Sequence, residues 1–165
     1  VKPGDVVLVD ANVIFEAHDK ACWKALAGAY ALHTVEKCIE ETQTGTLNLP
    51  AAQRIDEAEL RASFKEIHDV SLTELAEVAI RGGSKLDDGE RALWAHALTR
   101  TDSWVLCGPD RASMRFGYEQ KHRVRLVSMG GLLNQINFSR PRPLRAHFEQ
   151  DWLDDVINKL VLGIL

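Results

Sequence analysis

Val6-Val7-Leu8-Val9-Asp10, running on into Ala11-Asn12-Val13-Ile14, is the stretch whose reading decides the fold. A short aliphatic and β-branched run without polar interruption suits a strand buried on both faces, as in a parallel sheet. It ends on a carboxylate. Trp104-Val105-Leu106-Cys107 repeats the pattern and leads through Gly108-Pro109 to Asp110. Val124-Arg125-Leu126-Val127-Ser128 reads as a third strand.

The segments between these runs read as helices. Residues 12–31 carry Ala, Leu, Trp and Tyr at helical spacing, and Thr34 can cap a helix over 35–43. Leu47-Asn48-Leu49-Pro50 reads as an extended connector. Helices are expected over 56–69 and 71–80, the second capped by Ser71, then a break at Gly82-Gly83-Ser84. Asp87 or Asp88 can cap a helix over 88–100, Asp110 opens one to about Gln120, and Gly130 begins another. After Pro141 and Pro143 an amphipathic helix spans 144–161. Alternating strands and helices predict an α/β fold, three-layer α/β/α, with a mainly parallel central sheet flanked by helices. The expected organisation is one domain over 1–138. Residues 139–165 form a linker and a helix that packs on the domain or on a partner.

The composition narrows the function. With 165 residues, 45% apolar and 27% charged, the chain reads as an ordinary globular domain with a real core. No apolar run approaches the roughly 20 residues a membrane span needs, so no membrane partner is expected. Val1-Lys2-Pro3-Gly4-Asp5 lacks the pattern of a secretory signal, and Cys22, Cys38 and Cys107 show no CxxC spacing. Free thiols in a cytoplasmic setting are the expectation. A net charge of −4 does not advertise nucleic-acid binding, though local patches decide that question. The six histidines show no HxH or HExxH spacing, which argues against a zinc site. No phosphate-cradling GxxxxGK[ST] loop is present.

Four acidic positions end or follow apolar stretches: Asp10, the pair Glu40–Glu41, Glu90 in Leu86-Asp87-Asp88-Gly89-Glu90, and Asp110. Each has an ordinary structural reading. Asp88 and Asp110 can be helix caps, and one of two adjacent glutamates faces solvent. Together they point to a cation with oxygen ligands, because clustered carboxylates repel one another unless neutralised. In open α/β sheets the strand tips are where such sites form.

The stretch Val7-Leu8-Val9-Asp10-Ala11-Asn12-Val13-Ile14 resembles the opening motif of the PIN-domain ribonucleases, which include the toxin subunits of VapBC-type toxin–antitoxin pairs. Thr34–Thr42 is similar to that family's second motif, a helix with an inward Glu. Leu86-Asp87-Asp88-Gly89-Glu90 before Ala92, Ala95 and Ala97 resembles a variant third motif, and Val105–Arg111 resembles the fourth. The likeness covers about 5–135. It departs at Gly108-Pro109, where the family usually shows Thr, Ser or Asn and often a second Asp.

The resemblance implies a metal-dependent endoribonuclease with catalytic Asp10, Glu41, Glu90 and Asp110. Asp10, Glu90 and Asp110 would hold Mg²⁺ or Mn²⁺, with Asn12, Asp87, Asp88 and Glu40 in support. Glu41 is preferred to Glu40 by helical spacing, with Glu36 a third choice. Arg111, Arg115 and Arg123 are candidate RNA contacts, or else part of a solvated basic face. An RNA substrate, an antitoxin and a second copy of the chain are the implied partners. A rival reading is a catalytically weak or inactive PIN-fold module that binds RNA or protein. An aspartyl-nucleophile phosphatase ranks last, because Asn12 stands where its second Asp is needed.

Overall fold

The structure, a computed structural model, describes residues 1–47, 50 and 54–165. Five parallel strands form one sheet: β1 (Val6–Val9), β2 (Ala31–Val35), β3 (Glu66–His68), β4 (Trp104–Cys107) and β5 (Leu126–Val127), in the order β3-β2-β1-β4-β5. Side chains alternate across this sheet, as the pleat requires. Val7, Val9, Leu32 and Cys107 face one core; Leu8, Val35, Trp104 and Leu106 face the other. Both faces are apolar, so both must be covered, and the fold is three layers, α/β/α.

The Val7 face is covered by α1 (Ala11–Asp19), α2 (Trp23–Ala29), α4 (Glu57–Ser63) and α8 (Met129–Gln135). The Leu8 face is covered by α5 (Leu72–Ile80), α6 (Asp88–Thr99), α7 (Arg111–Glu119) and α9 (Gln150–Val161). Between them α3 (Glu36–Thr46) sends Ile39 into the first core and Cys38 into the second. No helix among the described residues is long and apolar enough to cross a membrane.

Two expected helices are partly strand. The helix expected over 12–31 breaks at Ala21, which takes a φ of 57°, and gives way to β2 after Tyr30. Thr34 is inside β2, its hydroxyl donating to the Val9 carbonyl at 2.8 Å rather than capping a helix. The helix expected over 56–69 stops at Ser63, and Glu66–His68 pairs with β2 as the edge strand. The third expected strand is short, because Arg123–Arg125 is a 3₁₀ turn. The last helix begins at Gln150, after a 3₁₀ turn at Ala146–Phe148. Of the expected connector, Asn48 and Leu49 lie outside the described residues, and Leu47 is α-helical in backbone.

The C-terminal segment belongs to the packed body. Phe148 enters the first core, while Leu153, Val156, Ile157 and Leu160 enter the second. Buried Glu16 accepts hydrogen bonds from the Arg145 backbone and guanidinium, and Arg140 pairs with Glu149.

The strand order reverses between β1 and β4. Successive strands step outward from β1 to β3, then resume on the other side at β4. Helices diverge at such a point and leave a crevice at the C-terminal strand ends. Asp10 follows β1 there, and Asp110 stands three residues past β4.

Candidate metal centre

Asp10, Asp87, Glu90 and Asp110 reach this crevice as parts of helix starts, and Glu41 from the middle of α3. Asp10 is the N-cap of α1, its Oδ1 accepting the Val13 N–H at 2.8 Å. Asp110 is the N-cap of α7, its Oδ1 accepting from Ala112 at 2.6 Å and from Ser113 at 3.4 Å. Asp87 caps α6 in a reciprocal box with Glu90: Asp87 Oδ1 accepts the Glu90 N–H at 2.8 Å, and Glu90 Oε2 accepts the Asp87 N–H at 3.2 Å. One carboxylate oxygen is thus fixed by a cap in each case. The other oxygens, Asp10 Oδ2, Asp110 Oδ2 and Glu90 Oε1, take no hydrogen bond among the described residues. Glu90 Oε1 is also fully buried. Buried polar atoms are nearly always paired, and Glu90 Oε1 shares this exception with His18 Nε2 and His96 Nδ1.

The charges interact. Burial pushes the Asp10 carboxyl up to about 7, and the charges of Asp87, Glu41 and Asp110 add to it against the Val13 N–H. Burial, Asp110, Asp87 and Asp10 push Glu90 up to about 8. Glu41 is raised by burial and Asp87, against the opposing pull of Lys37 and of the nearby Gly89 N–H in the first turn of α6. The positive ends of α1, α6 and α7 temper this repulsion without cancelling it. The cluster is short of positive charge.

Of the adjacent glutamates, Glu41 is the one that faces the acids. Its carboxylate lies against Gly89, where any Cβ would collide with it. Glu40 is exposed and pairs with Lys37 at 3.2 Å; Glu36 pairs with Arg61 at 2.8 Å. Asp88 faces solvent and pairs with Arg91. Gly108 has a spatial reason: a Cβ there would lie 3.3 Å from Asp10 Oδ2, closer than a side chain sits comfortably. The departure at Gly108-Pro109 therefore gives Asp10 room. Cys38 and Cys107 lie beneath the acids. Burial first, then Asp10 (and Glu41 at Cys38), raises both thiols far above neutrality, so neither is a thiolate nucleophile.

The expected basic contacts divide. Arg111 opens α7, is exposed and has no ion pair among the described residues. Arg115 donates to the Leu165 carbonyl and pairs with Glu119. Arg123 follows the C-terminal end of α7, whereas Asp110 stands at its N-terminal end, so the fold does not bring the two together. Exposed Asn12 lines a shallow cavity of about 390 Å³ with Asp110 and Arg111.

A second ionisable cluster was not foreseen. His33 on β2, Glu66 on β3 and His96 on α6 form a set that could hold a metal ion, one ligand atom from each lying within 4.8 Å of the others. The acids at the strand tips form no group that tight among the described residues. The histidine set already encloses a cation. Arg100 Nη1 lies 3.1 Å from His33 Nδ1, 3.0 Å from His96 Nε2 and 3.4 Å from Glu66 Oε2, with the guanidinium anchored on Asp102. His68 stacks on His96 at 4.3 Å. Burial, His68 and Arg100 lower His96 to about 4, which keeps it neutral and able to accept from Arg100. The residues come from three elements far apart in sequence, and no local motif announces them.

Comparisons with protein-family models, with curated proteins and with solved structures found no match.

Proposed function

We propose that this chain is a divalent-metal-dependent ribonuclease of the PIN type, hydrolysing RNA phosphodiester bonds at the acidic crevice. The observation that carries the reading is the buried, unpartnered Glu90 Oε1 among Asp10, Asp87 and Asp110. A donor set of carboxylate oxygens with no buried base beside it fits Mg²⁺ or Mn²⁺. Such an ion, when bound, supplies the charge that activates water and stabilises the phosphorane-like transition state.

The chain's own residues do the rest. The caps at Val13, Ala112 and Asp87 fix one oxygen of Asp10, Asp110 and Glu90, so the free oxygens are presented without further ordering. These three would hold the ion, and Glu41 would hold a water or a second ion beside Gly89. Asn12 and Arg111, both exposed at the mouth, would contact the phosphate and offset the acidic field.

A second reading has one observation in its favour. Asp10, Asp87, Glu90 and Asp110 all serve as caps, which needs no metal. On that reading the chain is a PIN-like RNA- or protein-binding module without catalysis. Labelled single-stranded RNA incubated with Mn²⁺ or Mg²⁺, with EDTA and Asp10→Asn controls, separates the two. Cleavage that needs the ion and falls at least about 10²-fold in the variant supports the nuclease. Cleavage untouched by the substitution, or RNA binding without cleavage and without any effect of Mn²⁺ on melting, defeats it.

A further inference from the structure

The cavity beside the acids is built partly by the C-terminal segment. Its lining is Asn12, Pro109, Asp110 and Arg111 from the strand-tip side, with His147 and Trp152 from the 3₁₀ turn and first turn of α9. Trp152 is half-buried: it packs on the second core and leaves part of its ring on the cavity wall. The other three tryptophans, Trp23, Trp94 and Trp104, are buried. A cavity of about 390 Å³ lies at the small end of ligand sites, roughly 300–1,000 Å³.

We infer that this cavity is a nucleotide subsite, in which Trp152 stacks the base next to the scissile phosphate and Arg111 meets the backbone. The inference rests on the nuclease reading and adds to it the element that grips the substrate. Three features on one wall fit a nucleotide together. An indole face suits any base by stacking, which is sequence-tolerant. Arg111, without an ion pair among the described residues, suits a phosphate. Half-exposed His147 lines the same cavity and supplies a hydrogen-bonding edge. Asp110 belongs both to this wall and to the acid cluster, so a nucleotide seated here places its phosphodiester at the acids. The C-terminal segment is therefore part of the substrate site, as well as a packing element.

The test is steady-state cleavage of a mixed-sequence 12-nucleotide RNA in Mn²⁺ by wild type, Trp152→Phe and Trp152→Ala. It is repeated with an RNA carrying one abasic nucleotide beside the cleaved bond. Loss of one base–aromatic stack corresponds to roughly 5- to 150-fold. Trp152→Ala should raise KM by about 10-fold, within that range, leaving kcat little changed, and Trp152→Phe should stay near wild type. The abasic RNA should raise KM on wild type by the same factor and cause no further loss on Trp152→Ala. A wild-type KM in Trp152→Ala, or an equal abasic penalty on both proteins, overturns the subsite while the nuclease stands. A kcat loss matched by a fall in melting temperature, with no KM change, reduces Trp152 to a packing residue and overturns it too. A wild type that cleaves no RNA defeats the nuclease reading and this inference with it.

Discussion

The two ends of α6 carry ionisable clusters that answer the same electrostatic problem differently. At the N-terminal end Asp87 and Glu90 join Asp10, Glu41 and Asp110; Lys37 lowers Glu41, and the charges that act on Asp10 and Glu90 are carboxylates. Toward the other end, about 9 Å from Glu90 by helical rise, His96 joins His33 and Glu66, and Arg100 sits among them. One cluster holds its own cation, though His96 Nδ1 is buried without a hydrogen bond among the described residues. The other holds carboxyls at about 7 and 8, raised first by burial and then by the neighbouring carboxylates. On the proposed reading it is missing countercharge, and not the tightest convergence of ligand atoms, that marks the site for an ion.

The largest expected effect is on activity. Glu90→Gln should lower RNA cleavage in Mn²⁺ by about 10²-fold or more, whereas His68→Ala, at the far cluster, should leave the rate within a few-fold of wild type. Comparable losses from both would erase the distinction.

Next comes stability, with opposite signs at the two ends. Arg100→Ala strands His33, His96 and Glu66 without their cation and should cost about 2–4 kcal/mol in denaturant unfolding. Asp10→Asn keeps the cap, since Asn is as good an N-cap as Asp. It removes a repelled charge, and without metal should stabilise the fold by on the order of 1–2 kcal/mol at pH 8. Destabilisation by Asp10→Asn would show that the carboxylate is a structural element and nothing more.

The pH dependence sharpens the same contrast. Asp10 and Glu90 are raised in the folded state, so the unfolded chain releases their protons first. Stability is lost as pH climbs from the ordinary carboxyl range to about 7 and 8. His96 is lowered to about 4, so its contribution is complete above its ordinary value of 6.5 and is lost as pH falls below it. Between pH 6.5 and 8 only the acids act. Metal-free protein should melt at progressively lower temperature across that window, and the slope should flatten in Glu90→Gln. A slope unchanged by that substitution would move its origin elsewhere.

The smallest effect separates neighbours on α3. Glu41→Gln should reduce cleavage by about 10-fold, at the low end of the range for residues that orient metal ligands. Glu40→Gln removes only a solvent-screened pair with Lys37, and should leave both rate and stability unchanged. The reverse order would place the wrong glutamate at the site.

What the sequence revealed follows from how local each signal is. β1 and β4 are unbroken apolar runs ending near Asp10 and Asp110, and Asp87 stands three residues before Glu90 in a capping box. All of these are readable within a few residues. β2 is hidden by His33 and Thr34, polar groups whose burial is permitted by Arg100, 67 residues on, and by the Val9 carbonyl, 25 residues back. β3 is three residues long, set between two helices, and only its pairing with β2 makes it a strand. Helical spacing favoured Glu41, but the physical reason is the missing side chain at Gly89. The Arg100 cluster and the Trp152 wall are tertiary products that no local pattern encodes.

The most direct test of the central claim is calorimetric titration of Mn²⁺ into metal-free protein at pH 7.5, with wild type, Glu90→Gln and His96→Gln compared. Wild type and His96→Gln should bind Mn²⁺ alike, and Glu90→Gln should lose at least about 10-fold in affinity. Binding that survives Glu90→Gln and disappears in His96→Gln would contradict the account, moving the metal to the other end of α6.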